Sequence, residues 1–348
     1  MLREVRPATN GRARGTLACV SLIALVIVGL ACGGGEETPK STPTQRSPAP
    51  LPTVALPQPP PGSAEQTGLL LYVDPIARQT IALDLSTGSR RPVPGIVPPA
   101  GASITADCTL DGRLIAYSIN AGNQLTSVLS FVGEGAPAQN VEVKGKIQEM
   151  AWSPGAEKLA VTVLTAAGTE AALLDPQTGA LTPLKLPKGT PGSARWAPDG
   201  QHLAVDVNNN GISDIYVLDL GTSAESKVST RPAALTPDWS PDGRIIAFSA
   251  GDDRGGLPQI YAVEADGKNE HKLTATASEK FSPRWSRDGS LLAYAGAVLV
   301  PLTSNRPARL HNQAIWVAHA DGTNEVPVTD INIDAVPLAW CLPGPWLQ

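Results

Sequence analysis

The sequence is short of positive charge, of histidine and of any recognisable catalytic motif. Its 27 Lys and Arg stand against 32 Asp and Glu, for a net charge of −5 over 348 residues. Four Arg and one Glu fall within the first 31 residues, which leaves −8 on the rest of the chain. Such a body repels a phosphate backbone, so nucleic acid is excluded as a partner. The four histidines, His202, His271, His311 and His319, lack a zinc-ligand spacing and read as solvated or packed side chains. No G-x-S-x-G elbow and no zinc-protease helix motif occurs. Aromatic residues number only fifteen, seven of them Trp, so any regularity in where the tryptophans fall is informative. Gly and Pro, 33 of each, stay below the level at which low complexity becomes the default reading.

Arg3, Arg6, Arg12 and Arg14 precede an uncharged apolar run from Thr16 to Ala31, too short for a comfortable membrane span. Residues 1–31 are therefore expected to be a signal peptide. The run ends in Gly29-Leu30-Ala31-Cys32-Gly33, which resembles a bacterial lipoprotein signal whose cysteine, here Cys32, is lipidated and becomes the new N-terminus. Such signals place Leu three residues before the cysteine, where this chain has Gly29. An uncleaved membrane anchor is the other reading of the same run, and both put the remainder outside the cytoplasm. Residues 32–66 contain nine Pro and almost no apolar periodicity, the composition of a disordered, partly extended tether. The body is expected over residues 67–348.

Self-similarity organises that body. Trp152-Ser-Pro, Trp196-Ala-Pro-Asp-Gly, Trp239-Ser-Pro-Asp-Gly and Trp285-Ser-Arg-Asp-Gly recur at spacings of 44, 43 and 46 residues. Cys108-Thr-Leu-Asp-Gly lies 44 before Trp152, and Trp340-Cys-Leu-Pro-Gly lies 55 after Trp285. After each Asp-Gly turn come β-rich runs, as at residues 245–249 and 259–263, then a second turn and a short run. Four strands, A to D, in each unit of 43–46 residues are the signature of a propeller blade. The body opens with strand B (69–73), followed by C and D. It closes with an orphan strand A (338–340). The C-terminal strand is thus predicted to complete the first blade and close an all-β, six-bladed ring.

The W-S-P-D-G, I-A-F-S, Q-I-Y and L-T elements resemble the repeats of TolB-like six-bladed propellers over about 280 residues. That resemblance implies the fold and leaves function open, because the motifs are structural. The repeated Trp residues are expected to pack between blades, and Asp111, Asp199, Asp242 and Asp288 to serve the turns.

Irregular connections are expected on the face bearing the B–C and D–A loops, and the binding surface is assigned there. One B–C loop spaces Asp206, Asn208, Asn210 and Asp214 around Gly211 like the start of a calcium loop, though without its terminal Glu; a metal-free Asx turn is the alternative. Another, in the stretched sixth blade, combines Val298, Leu299 and Val300 with Arg306 and Arg309 and is expected to meet a partner. Cys108 and Cys341 fall in blades that become neighbours on closure, and whether they form a disulfide stays open. The expected function is that of a monomeric, lipid-anchored, non-enzymatic binding or scaffold module of the cell envelope. Its partner would be a protein or glycan, and calcium its one possible cofactor. The alternative is a propeller hydrolase or lyase acting on envelope carbohydrates or lactones. Acidic, His or Tyr side chains clustered at the central channel would favour the enzyme, and a small or apolar lining the binder.

Overall fold

Short β-rich runs separated by Gly and Asx turns fold into twenty-four strands in six four-stranded sheets among the described residues. The computed structural model describes residues 67–136, 140–251, 256–276, 278–297, 313–330 and 335–344. Residues 1–66, with the expected signal, Cys32 and tether, lie outside them, as do residues 298–312 with Val298, Leu299, Val300, Arg306 and Arg309.

The first sheet holds β1 (Leu69–Asp74), β2 (Gln79–Leu83) and β3 (Arg90–Pro92). The second is β4 (Ser103–Cys108), β5 (Leu114–Asn120), β6 (Thr126–Gly133) and β7 (Val141–Lys144). The third is β8 (Lys146–Trp152), β9 (Leu159–Thr165), β10 (Gly168–Leu174) and β11 (Leu181–Pro183). The fourth is β12 (Thr190–Trp196), β13 (His202–Asn209), β14 (Ile212–Asp219) and β15 (Glu225–Lys227). The fifth is β16 (Leu235–Trp239), β17 (Ile245–Ala250), β18 (Gln259–Glu264) and β19 (His271–Lys272). The sixth is β20 (Lys280–Trp285), β21 (Leu291–Ala297), β22 (Gln313–His319) and β23 (Val326–Pro327). The last strand, β24 (Pro337–Cys341), returns to the first sheet and pairs antiparallel with β1, setting Leu69 opposite Cys341 and Leu70 opposite Trp340.

The A strands β24, β4, β8, β12, β16 and β20 touch in a closed cycle around the axis. The expected ring closure is therefore present. A disulfide joins Cys108 to Cys341 across 5.8 Å between Cα atoms, which stitches the C-terminal strand to the second blade.

The A–B turns repeat one chemistry. Asp111, Asp199, Asp242 and Asp288 each accept, through Oδ1, the backbone N–H two residues on, at 2.8–3.1 Å. Gly112, next to the first of them, has φ +69°, and a side chain there would run into the Leu342 carbonyl. Both faces of each sheet are covered, so the core is not central but lies between blades. Leu70 and Ile81 of the first blade pack on Leu291 and Ile315 of the sixth. Ala116 and Leu129 of the second pack on Trp152 and Val161 of the third. Burial on both faces gives β21 its run of seven buried residues.

Candidate functional site

In strand A, side chains alternate between the gap to the neighbouring blade and the axis. The Trp takes the gap, as expected: Trp152 joins a cluster with the second blade and Trp285 one with the fifth. Indole Nε1 of Trp196 donates to the Ala151 carbonyl at 3.1 Å, and that of Trp340 to the Arg284 carbonyl at 3.0 Å. The residue just before the Trp therefore faces the channel. Around the ring these residues are Asp107, Ala151, Arg195, Asp238, Arg284 and Ala339. All six line a cavity of about 330 Å³ that opens on the A–B face.

Its charges are heavily engaged. Asp107 accepts the backbone N–H of Trp152 in the next blade at 2.7 Å, and Asp238 accepts that of Trp285 at 2.8 Å. Arg195 donates to the Met150 carbonyl and pairs with Glu149 at 2.9 Å. Arg284 reaches the same Glu149 carboxylate from the sixth blade at 3.8 Å and donates to the Leu338 carbonyl at 3.2 Å. Burial pushes the Asp238 carboxyl above its usual range, and the guanidiniums of Arg284 and Arg195 oppose that rise. Burial, reinforced by the like charge of Arg195, lowers Arg284 to about 10, so it stays charged at neutral pH. On the rim, Arg287 takes the place that Pro154, Pro198 and Pro241 hold in other blades, and donates to the Cys108 carbonyl at 3.2 Å. Ser286 is spent on its turn, donating to Asp288 at 2.7 Å. Among the described residues the lining includes no His, Tyr, Cys or Lys. It is neither small and apolar nor a His/Tyr cluster: two carboxylates, Asp107 and Asp238, two guanidiniums, Arg195 and Arg284, and two alanines share it, and the acidic pair meets part of the expectation set for an enzyme.

The sequence placed the candidate residues elsewhere. The B–C connections of the first, third and fourth blades are turns of four, two and two residues, so that face is less irregular than expected. Asp206, Asn208, Asn210 and Asp214 sit on the tight β13–β14 hairpin and do not converge. In its register Asp206 lies opposite Ile215 and Asp214 opposite Val207, so the two carboxylates occupy opposite faces of the sheet. Asp206 is buried, its Oδ1 accepting from the Ser193 N–H and hydroxyl, both at 2.8 Å, and from the Thr236 N–H at 3.2 Å. Desolvation pushes that carboxyl up to about 6. Asp214 pairs with Lys227 at 2.8 Å, Asn208 accepts the Gly211 N–H at 3.0 Å to close the turn, and Asn210 supplies its positive φ. This is the Asx-turn arrangement. Among the described residues no group of three or more His, Cys, Asp and Glu is placed to hold a metal ion.

The six-bladed ring thus repeats variants of one turn, read as W-x-P-D-G in the fourth and fifth blades, and is closed by its last strand. Residues 141–298 match the family model of the TolB beta propeller domain. The body is a TolB-like β-propeller. An uncharacterised protein of Agrobacterium fabrum is 30% identical over 144 residues, 41% of this chain and 48% of that one. The Tol-Pal system protein TolB of Anaeromyxobacter dehalogenans is 34% identical over 93 residues, 27% of this chain and 21% of that protein. The chain thus spans half or less of the curated relatives it matches. Among solved structures, TolB from Acinetobacter baumannii superposes with a TM-score of 0.63 at 17% identity, over 80% of this chain and 67% of that one. An oligogalacturonate lyase in complex with manganese reaches 0.50 at 14%, over 77% and 75%. At such identities the likeness is one of fold. The TolB-like propeller here keeps the structural repeat, while its channel-facing positions differ from blade to blade.

Proposed function

We propose that this chain is an extracytoplasmic binding and scaffold module of a bacterial cell envelope, anchored through Cys32, and that its channel mouth receives a segment of a protein partner. The carrying observation is the mouth itself, a cavity of about 330 Å³ with Asp107, Arg195, Asp238 and Arg284 fixed by bonds between blades. Preorganised polar groups of both signs shape a site for an extended peptide segment without the cost of ordering their own side chains. The Tol-Pal relative supports an envelope role for the body. The likeness to the lyase is at the level of fold, and the two mouth carboxylates, Asp107 and Asp238, are each committed to a backbone N–H of another blade.

A second contact surface has its own observation. Ile76, Val97, Leu125, Ile212 and Leu257 are exposed and sit on the B–C and D–A face, where β21 ends at Ala297 and β22 begins at Gln313. We assign residues 298–312, which join those two strands and carry Val298, Leu299, Val300, Arg306 and Arg309, to a second contact surface on the face opposite the channel mouth.

The test uses the small positions of the ring. Ala151→Arg puts into the third blade the side chain that the fourth and sixth already carry there, so the backbone is expected to accept it while the cavity fills. Cross-linking to envelope proteins should lose its specific partner in this variant, with the melting temperature within a few degrees of the parent. A partner retained by Ala151→Arg moves the site away from the mouth.

A further inference from the structure

The geometry points to an extended proline-rich peptide as the ligand class of the channel mouth, and to residues 47–64 of this same chain as its resident occupant. This deepens the reading of the mouth as a binding site and rests on it.

The chain enters the body on the rim of that mouth. The Thr67 carbonyl accepts the backbone N–H of Arg287, a wall residue, at 3.3 Å, and its hydroxyl donates to Asp288 at 2.8 Å. Gly68 lies against the Cys341 carbonyl with no room for a side chain. Pro57, Pro59, Pro60 and Pro61 lie six to ten residues upstream. In a polyproline helix that is about 19–31 Å of chain, enough to turn back over the opening.

The walls match what such a segment offers. Leu110, Pro198 and Pro241 make an apolar rim between the Trp side chains. A proline run carries no N–H of its own, so laying it on such an apolar rim leaves no donor unsatisfied. Its preset backbone also lowers the ordering cost, the reason aromatic grooves select it. Between Arg46 and Glu65 the chain has no charged residue, so an insert from this stretch leaves the mouth's own ion pairs intact. Held at the rim, it competes at an effective concentration on the order of millimolar, which a partner must overcome.

The probe is a fluorescent synthetic peptide of residues 47–64, titrated against the full chain and against a full-chain variant carrying Pro57→Ser, Pro59→Ser, Pro60→Ser and Pro61→Ser. The variant should bind the peptide at least tenfold more tightly than the parent, and added peptide should return its tryptophan emission to that of the parent. Adding Leu110→Asp on the exposed rim should abolish this binding at an unchanged melting temperature. Equal affinity for parent and variant, no binding to the variant, or a concentration-dependent dimer held by a second copy's segment overturns the proposal. Loss of the envelope partner in Ala151→Arg alongside any of those results leaves the binding site standing and removes only its resident occupant. A partner retained in Ala151→Arg removes the site reading instead.

Discussion

Two buried ionisable groups have structural roles that their residue types do not announce. Lys280 has no solvent exposure; its ammonium donates to Ser278 at 2.6 Å, lies 4.3 Å from the Trp316 ring centroid and 3.6 Å from Glu325. Burial lowers the Lys280 pKa, and the Glu325 charge opposes that. Lys280→Met should cost about 3–5 kcal/mol in denaturant unfolding, since it leaves the Glu325 carboxylate bonded by Ala275, Thr276 and Tyr294 but without its counter-charge, and adding Glu325→Gln should recover part of the loss. Asp206 makes the second case. Its folded pKa of about 6 lies above the ordinary carboxylate value, so the folded state binds the extra proton and this stabilising contribution is full below about 4 and lost as pH rises through 6. Asp206→Asn keeps an acceptor for Ser193 and Thr236 while removing the charge. It should flatten the fall in stability between about pH 4 and 6 and leave the protein no less stable at pH 7, as read from urea midpoints across that range. With Asp206 committed to Ser193 and Thr236, millimolar calcium is expected to leave the parent's melting temperature unchanged.

At the scale of strands and turns, most of the architecture was legible because turn chemistry is local and repeats. Asp-Gly after Cys108, Trp196, Trp239 and Trp285 marked where strand A stops and B begins, and the unpaired runs at 69–73 and 338–340 marked the closure. The site was not legible in the same way. Asp107, Ala151, Arg195, Asp238, Arg284 and Ala339 share a structural position but no chemistry, so they leave no motif. The signal available was strand alternation: once the Trp is placed between blades, the residue before it must face the axis. That parity also explains Asp206, which reads as a loop ligand from its Asn-rich neighbours yet lies three residues inside β13. Strand β24 gives the sharpest test at this scale. Ending the chain after residue 336 leaves β1 without its inner partner, exposes an edge, and should lower the melting temperature of the entire body rather than of one blade.

For the whole molecule, the disulfide spans a separation of 233 residues, and its reduction frees the latch between the first and second blades. Cys341→Ser should destabilise the ring by about 2–5 kcal/mol, with the larger figure favoured by the length of the closed loop. Reductant should lower the melting temperature of the parent and not that of the variant, as read by differential scanning calorimetry.

The pairing of Leu69 with Cys341 also decides how the body meets mechanical load. Any pull delivered through the N-terminal segment arrives at Thr67 and is directed along β1, whose hydrogen bonds to β24 on one side and β2 on the other share it in shear instead of parting one at a time. Behind that, the covalent link from Cys341 to Cys108 passes the force to the second blade, so the strand that completes the ring is also its mechanical clamp.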